Sequence, residues 1–163
     1  MKTWKQALKD ALVSGSLASL VSTAALATRG KQETGSPFAP TNAISHWLWG
    51  DRAARHNEPD LRHTLLGYTI HHASSLLWAT IYERFFTPAG QQASAQVKRN
   101  TSATLLGSAT VAATACFVDY KLTPHRLQPG YEMRLSKKSL FLVYASFAAG
   151  LAASHIIAGY RRR

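Results

Sequence analysis

TLLGYTIHHASSLLWATIY, residues Thr64–Tyr82, contains no Asp, Glu, Lys or Arg, yet it carries His71 and His72 near its middle. Its length falls within the roughly 17–25 residues a helix needs to cross a hydrocarbon layer. Three further stretches share its character: Ala11 to Thr28, Thr101 to Val118 and Ser139 to Tyr160. Charge is expelled from these stretches and gathers between them, at Lys2, Lys5 and Lys9, at Lys98 and Arg99, at Lys137 and Lys138, and at Arg161, Arg162 and Arg163. A soluble four-helix bundle, the competing architecture, would instead alternate polar and apolar faces along each helix. The pattern therefore predicts an all-α fold, a four-span transmembrane helical bundle. Its spans lie near 11–28, 64–82, 101–118 and 139–160, and residues 1–163 form one integral membrane domain.

The net charge of +11 points to a partner with anionic groups. A nucleic-acid binder concentrates its cations on one face or groove, whereas these cations flank the apolar stretches. The expected partner is a lipid bilayer with anionic headgroups, with no nucleic acid, and a homo-oligomer or a larger membrane complex stays open. The single Cys116 excludes an internal disulfide. The basic start, the apolar run and Ala25-Leu26-Ala27 also have the form of a secretory signal. The run is longer than a signal core and three spans follow it, so the first helix is expected to be retained.

Four spans place both termini on one side. That side holds nine Lys and Arg in short segments, while the longer connections opposite hold ten, diluted by six of the eight acidic residues. The positive-inside rule then predicts a bacterial inner-membrane, multi-pass protein with both termini cytoplasmic. The 29–63 connection is expected to hold a short interfacial helix. Thr41 or Asn42 would cap it, Ile44, Trp47 and Leu48 would face lipid, and Gly50 would end it. Asp60 is placed to cap the second span, Asp51 and Arg55 have the spacing of an i,i+4 pair, and Gln91–Ser94 reads as a polar loop.

Small residues recur every fourth position in two spans: Gly15 and Ser19 in the first, Ser146, Gly150 and Ser154 in the fourth. Such spacing lets helix backbones approach closely in a medium where hydrophobicity gives no inward drive.

Ionisable groups at membrane depth are functional candidates by default. His71, His72, Ser75, Glu83 and His155 form a candidate intramembrane polar site. Adjacent helical positions point about 100° apart, so His71 and His72 cannot share one narrow site. His71 lies on the more polar face and is the better inward group, although a histidine bonded to a serine of a neighbouring helix would serve packing alone. A haem between His71 and His155 is disfavoured by an axial offset of about 13 Å. A second candidate cluster gathers on the side away from the termini: His46, His63, Asp119, His125 and Glu132, with His56 nearby. Histidine with carboxylate suits zinc, but no HExxH or paired-cysteine spacing occurs. No cofactor is predicted, metal or haem is not excluded, and no nucleotide-binding or nucleophile motif is present.

Ser45-His46-Trp47-Leu48-Trp49-Gly50, Ile70-His71-His72-Ala73-Ser74-Ser75, Tyr82-Glu83, Asp119, Pro124-His125-Arg126-Leu127 and Pro129-Gly130-Tyr131-Glu132 together resemble a group of small bacterial inner-membrane proteins of unassigned function. The resemblance covers nearly the whole chain and implies a four-helix membrane protein, with no activity to transfer.

The leading functional expectation is a structural or accessory membrane subunit without catalytic activity. The first alternative is a proton- or ion-coupled transporter or channel using His71. The second is a metal- or haem-dependent membrane redox protein.

Overall fold

The computed structural model describes residues 1–88 and 101–161, and the loop expected at Gln91–Ser94 lies outside them. All regular secondary structure among the described residues is helical, with no strand. Four long helices, α1 (Trp4–Thr34), α4 (Leu66–Phe85), α5 (Thr101–Phe117) and α6 (Lys137–Arg161), run up and down. Two short ones, α2 (Ala39–Ile44) and α3 (His46–Trp49), lie between α1 and α4. A π-helical turn, Leu61–Leu65, leads into α4, and another, Val118–Leu122, extends α5.

Three helical segments are long and apolar enough to cross a membrane: Trp4–Thr34, Thr101–Leu122 and Lys137–Ile157. The remaining expected span, the second in chain order, is α4, which is long enough, but His71, His72, Ser74, Ser75 and Glu83 dilute its apolarity. The first helix runs well beyond the expected 11–28 at both ends. Its start is fixed by a capping box, in which the Gln6 backbone N–H donates to Thr3 Oγ1 at 3.2 Å and the Thr3 backbone N–H donates to Gln6 Oε1 at 2.9 Å. Two of the orphan donors at a helix start are thereby satisfied. Gly35 ends the helix at φ 78°, a left-handed conformation that suits glycine.

α1 is the axis of the bundle, packed against α4 on one side and α6 on the other. Its buried face is made of small residues, Ala7, Ala11, Ser14, Gly15, Ala18, Ser19 and Ser22. A Cβ on Gly15 would lie 2.9 Å from Ala79 Cβ of α4, and one on Gly150 only 2.4 Å from Ala18 Cα. Ser19 is buried beside these contacts, and Ser146 and Ser154 are half-buried on α6, where Ser154 Oγ donates to the Leu151 carbonyl at 2.8 Å. Large apolar residues point the other way: Leu8, Leu12, Val13, Leu20, Leu77, Leu106, Phe117 and Phe141 are exposed. The outer surface thus carries large hydrocarbon side chains where a water-soluble bundle is polar, while the interior mixes small and polar residues with larger ones such as Val143, Phe147 and Leu151.

The short helices form a cap over the end of the bundle where α1 finishes and α4 begins. The sequence expectation for this connection needs correction. Ile44 does not face outward; it is 2% exposed and packs with Leu26, Tyr131, Leu135 and Val143. Neither Thr41 nor Asn42 caps α2, which begins at Ala39 with Pro40 in its first turn. Asn42 is buried instead, donating to the carbonyls of His56 and Glu58 at 3.1 and 2.9 Å and accepting from Thr64 Oγ1 at 2.6 Å. Asp51 approaches His46 Nδ1 at 3.6 Å rather than Arg55. Gly50 ends α3 and Asp60 starts the turn into α4, as their residue types suggest. Glu33, at the far end of α1, accepts from the Ser136 backbone N–H at 2.7 Å and ties down the start of α6.

The Gly150 contact generates a prediction. Because the nearest atoms belong to the α1 backbone and cannot swing aside, Gly150→Ala should already destabilise the bundle, by about 1–3 kcal/mol. Gly150→Leu should cost more, and Ala149→Leu, at an exposed position, should cost little. Thermal unfolding in detergent measures all three.

Candidate functional site

Polar side chains converge at two levels inside the bundle. The first lies near the end that holds the start of α1. Glu83 of α4 is 0% exposed, and an isolated carboxylate there would be strongly disfavoured. Three elements supply partners. Lys2 Nζ donates to Oε2 at 2.5 Å, His155 Nε2 of α6 lies 2.7 Å from Oε1, and Thr87 Oγ1 donates to Oε2 at 2.9 Å. Lys2 also pairs with Asp10 at 2.8 Å. Tyr82 closes the site, its ring edge-on to His155 at 5.7 Å and its hydroxyl donating to the Thr104 carbonyl at 3.3 Å.

The second level lies under the cap, around a cavity of about 60 Å³ between the long helices. His71, Ser22, Asp119, Tyr144 and Trp78 line it, and Tyr131 closes it from the cap. His71 Nε2 lies 2.9 Å from Ser22 Oγ of α1. Tyr144 donates to Asp119 Oδ2 at 2.6 Å. Tyr120, Tyr131 and Tyr144 form a ring cluster with centroids 6.2 and 6.4 Å apart, and Tyr120 reaches Glu132 Oε2 at 3.5 Å. Burial raises the Glu132 carboxyl above its ordinary range and pushes the Tyr131 phenol up as well.

The candidate intramembrane set therefore divides. His71 belongs to the capped cavity, while Glu83 and His155 belong to the opposite level. Ser75 lines the cavity but spends its hydroxyl on the His71 carbonyl at 2.8 Å. His72 turns away and stacks on Tyr68 at 5.8 Å, as the 100° step from His71 requires. With His155 on Glu83 and His71 on Ser22, the two histidines do not face one another.

The cluster of His46, His63, Asp119, His125 and Glu132 does not form one site. His46 is 1% exposed, with Nε2 2.9 Å from the Gln128 carbonyl and its ring edge-on to His125 at 6.1 Å. Asp119 faces Tyr144 and Glu132 faces Tyr120. His63 joins His56 and Asp60 instead, as three potential ligand groups whose donor atoms lie within 4.8 Å of one another. Lys2 was the partner sequence reasoning missed, because a terminal lysine before an apolar run looks like a headgroup anchor. Tyr144 was missed because it sits 25 residues from Asp119 with no spacing signal.

No protein-family model, curated protein or solved structure matches the chain, so the functional reading stands on this geometry.

Two predictions follow from the ionic contacts. Glu83→Ala leaves His155 without its carboxylate and Lys2 with Asp10 alone, and breaking a buried pair typically costs about 3–5 kcal/mol; denaturation in detergent should show a loss toward that order. Asp60 provides the pH test. Hydrogen bonds from the His63 backbone N–H and ring hold its carboxyl at about 2, below the ordinary 3.8. Its contribution is therefore complete above the ordinary value and is lost as pH falls toward about 2. The difference in melting temperature between the native chain and Asp60→Ala should narrow across that window.

Proposed function

We propose that the chain is a four-span protein of the bacterial inner membrane, with both termini cytoplasmic, and that it handles protons between the two interior levels. One observation carries this reading: ionisable side chains from different helices meet inside a bundle whose outer surface is Leu, Val and Phe. Charged or titratable groups at membrane depth are expensive to bury and are kept where they line ion or proton pathways. Under this reading α4 also crosses the membrane. Its 20 residues rise about 30 Å, with Ser75 and Glu83 buried in the interior and Leu77 exposed on the outer face. The denser positive charge beside the termini supports a cytoplasmic location for them.

Glu83 and His155 would exchange protons with the cytoplasmic side, and His71 and Asp119 with the capped side. His71 and Glu83 are separated by 12 positions on one helix, about 18 Å. On α1, between Ser14 and Ser22, Ser19 Oγ is buried and makes no hydrogen bond among the described residues. Such a hydroxyl is suited to hold water within that gap.

A second reading, an accessory subunit with no activity of its own, is favoured by a different feature. An open apolar groove of about 780 Å³ runs between α5 and α6, lined by Leu105, Ala109, Ala113, Phe141 and Ala148. It offers a seat for a helix of a second copy or of a larger complex.

Reconstitution into liposomes with an internal pH-sensitive dye separates the two. An imposed membrane potential should drive proton entry through the native chain, and His71→Ala and Asp119→Asn should each remove most of it. No flux above empty liposomes would leave the accessory reading.

A further inference from the structure

The turn between the cap and α4 carries a cluster that neither interior level uses. His56, Asp60 and His63 fall within the short segment His56-Asn57-Glu58-Pro59-Asp60-Leu61-Arg62-His63. Pro59 and the π-helical turn that follows bring them together. His56 Nε2 and His63 Nδ1 approach the same carboxylate oxygen, Asp60 Oδ2, at 2.8 and 2.9 Å. The two imidazoles stack with centroids 4.2 Å apart and planes 26° from parallel. His56 Nε2 is buried and, although close to Asp60, makes no hydrogen bond.

The local backbone makes the arrangement rigid. The His63 backbone N–H donates to Asp60 Oδ1 at 2.5 Å and the Asp60 backbone N–H donates to Thr64 Oγ1 at 3.0 Å. Asn42, from the cap, holds the carbonyls of His56 and Glu58. Both histidines are therefore fixed by contacts outside their own rings.

From this geometry we infer a binding site for a zinc-class divalent cation, held by His56 Nε2, His63 Nδ1 and the Asp60 carboxylate. Two imidazoles and a carboxylate are a donor set for zinc that leaves a coordination position open.

Arginines border the site and must be weighed against a cation. Arg62 is drawn aside, its guanidinium 4.2 Å above the Trp49 ring. Arg52 and Arg55 line the same pocket as His56 and His63. Their effect is to favour an anion or hydroxide at the open position. The site faces the capped end of the bundle, so in the proposed membrane orientation it sits on the side away from the termini. Its test does not depend on that orientation or on proton transfer.

The test uses the full chain, purified in detergent and stripped with a chelator, then titrated with zinc against a chromophoric competitor. One equivalent per chain should bind. Cobalt should give the visible absorption of a low-coordinate site. Loss of even a supporting residue around a bound metal typically weakens it 10–100-fold, so His56→Ala and His63→Ala should each weaken zinc binding by about tenfold or more. Asp60→Asn keeps a side-chain acceptor for the cap and should lose affinity with helicity unchanged, which separates metal loss from unfolding. His125→Ala should bind as the native chain does. Absence of zinc binding, or binding equally strong in all three ligand variants, would overturn the inference. So would uptake of inorganic phosphate without zinc.

Discussion

The close approach of α1 to two neighbours at once is the constraint on which the rest of the structure depends. Gly15 admits α4 and Ala18 admits Gly150 of α6, at distances that leave no room for another carbon. Where the surroundings are as apolar as the side chains, such contacts are held by van der Waals fit and not by expulsion from water. A helix rich in Ala, Ser and Gly on its inner face then becomes a natural axis. Leu8, Leu12, Val13 and Leu20, freed from packing, turn outward, while Leu26 is buried beneath the cap.

That choice of axis explains the polar interior. Small side chains on α1 leave gaps at the levels of Ser14 and Ser22, and longer side chains from α4 and α6 fill them. Glu83 and His155 meet at one level, and His71 reaches Ser22 at the other. A carboxylate so placed needs cations close by, and the chain supplies Lys2 from the turn before α1. The capping box at Thr3 fixes where that lysine falls. Helix start, ion cluster and interhelical packing are thus parts of one arrangement.

Much of this architecture was legible in the sequence, for physical reasons that also show where legibility ends. Long charge-free stretches mark long helices because backbone polar groups in such runs must be satisfied internally. Hydropathy does not mark where a helix stops, so residues 4–10 and 29–34 of α1 escaped notice although Thr3 and Gln6 carry a start signal. Helical periodicity distinguished His71 from His72, since one helix suffices to fix their relative direction. Partners across helices were harder. Lys2 and Glu83 are 81 residues apart, and nothing local pairs them. The cap was misread where a residue's type suggested lipid: Ile44 is apolar, but the cap folds over the bundle and buries it. His63 was assigned to the wrong company because His46, Asp119, His125 and Glu132 share its end of the bundle but not its turn.

The account rests most heavily on α4, the long helix whose composition alone does not qualify it as a span. Its two ends decide the matter. In a Cys116→Ser background, single cysteines at Glu58, before the turn into α4, and at Phe86, just after it, are offered a membrane-impermeant maleimide in intact spheroplasts. A four-span bundle with cytoplasmic termini predicts that Glu58→Cys is labelled at once and that Phe86→Cys is labelled only after the membrane is permeabilised. Labelling of both from outside, or protection of both, would mean that α4 does not cross the membrane and would contradict the account.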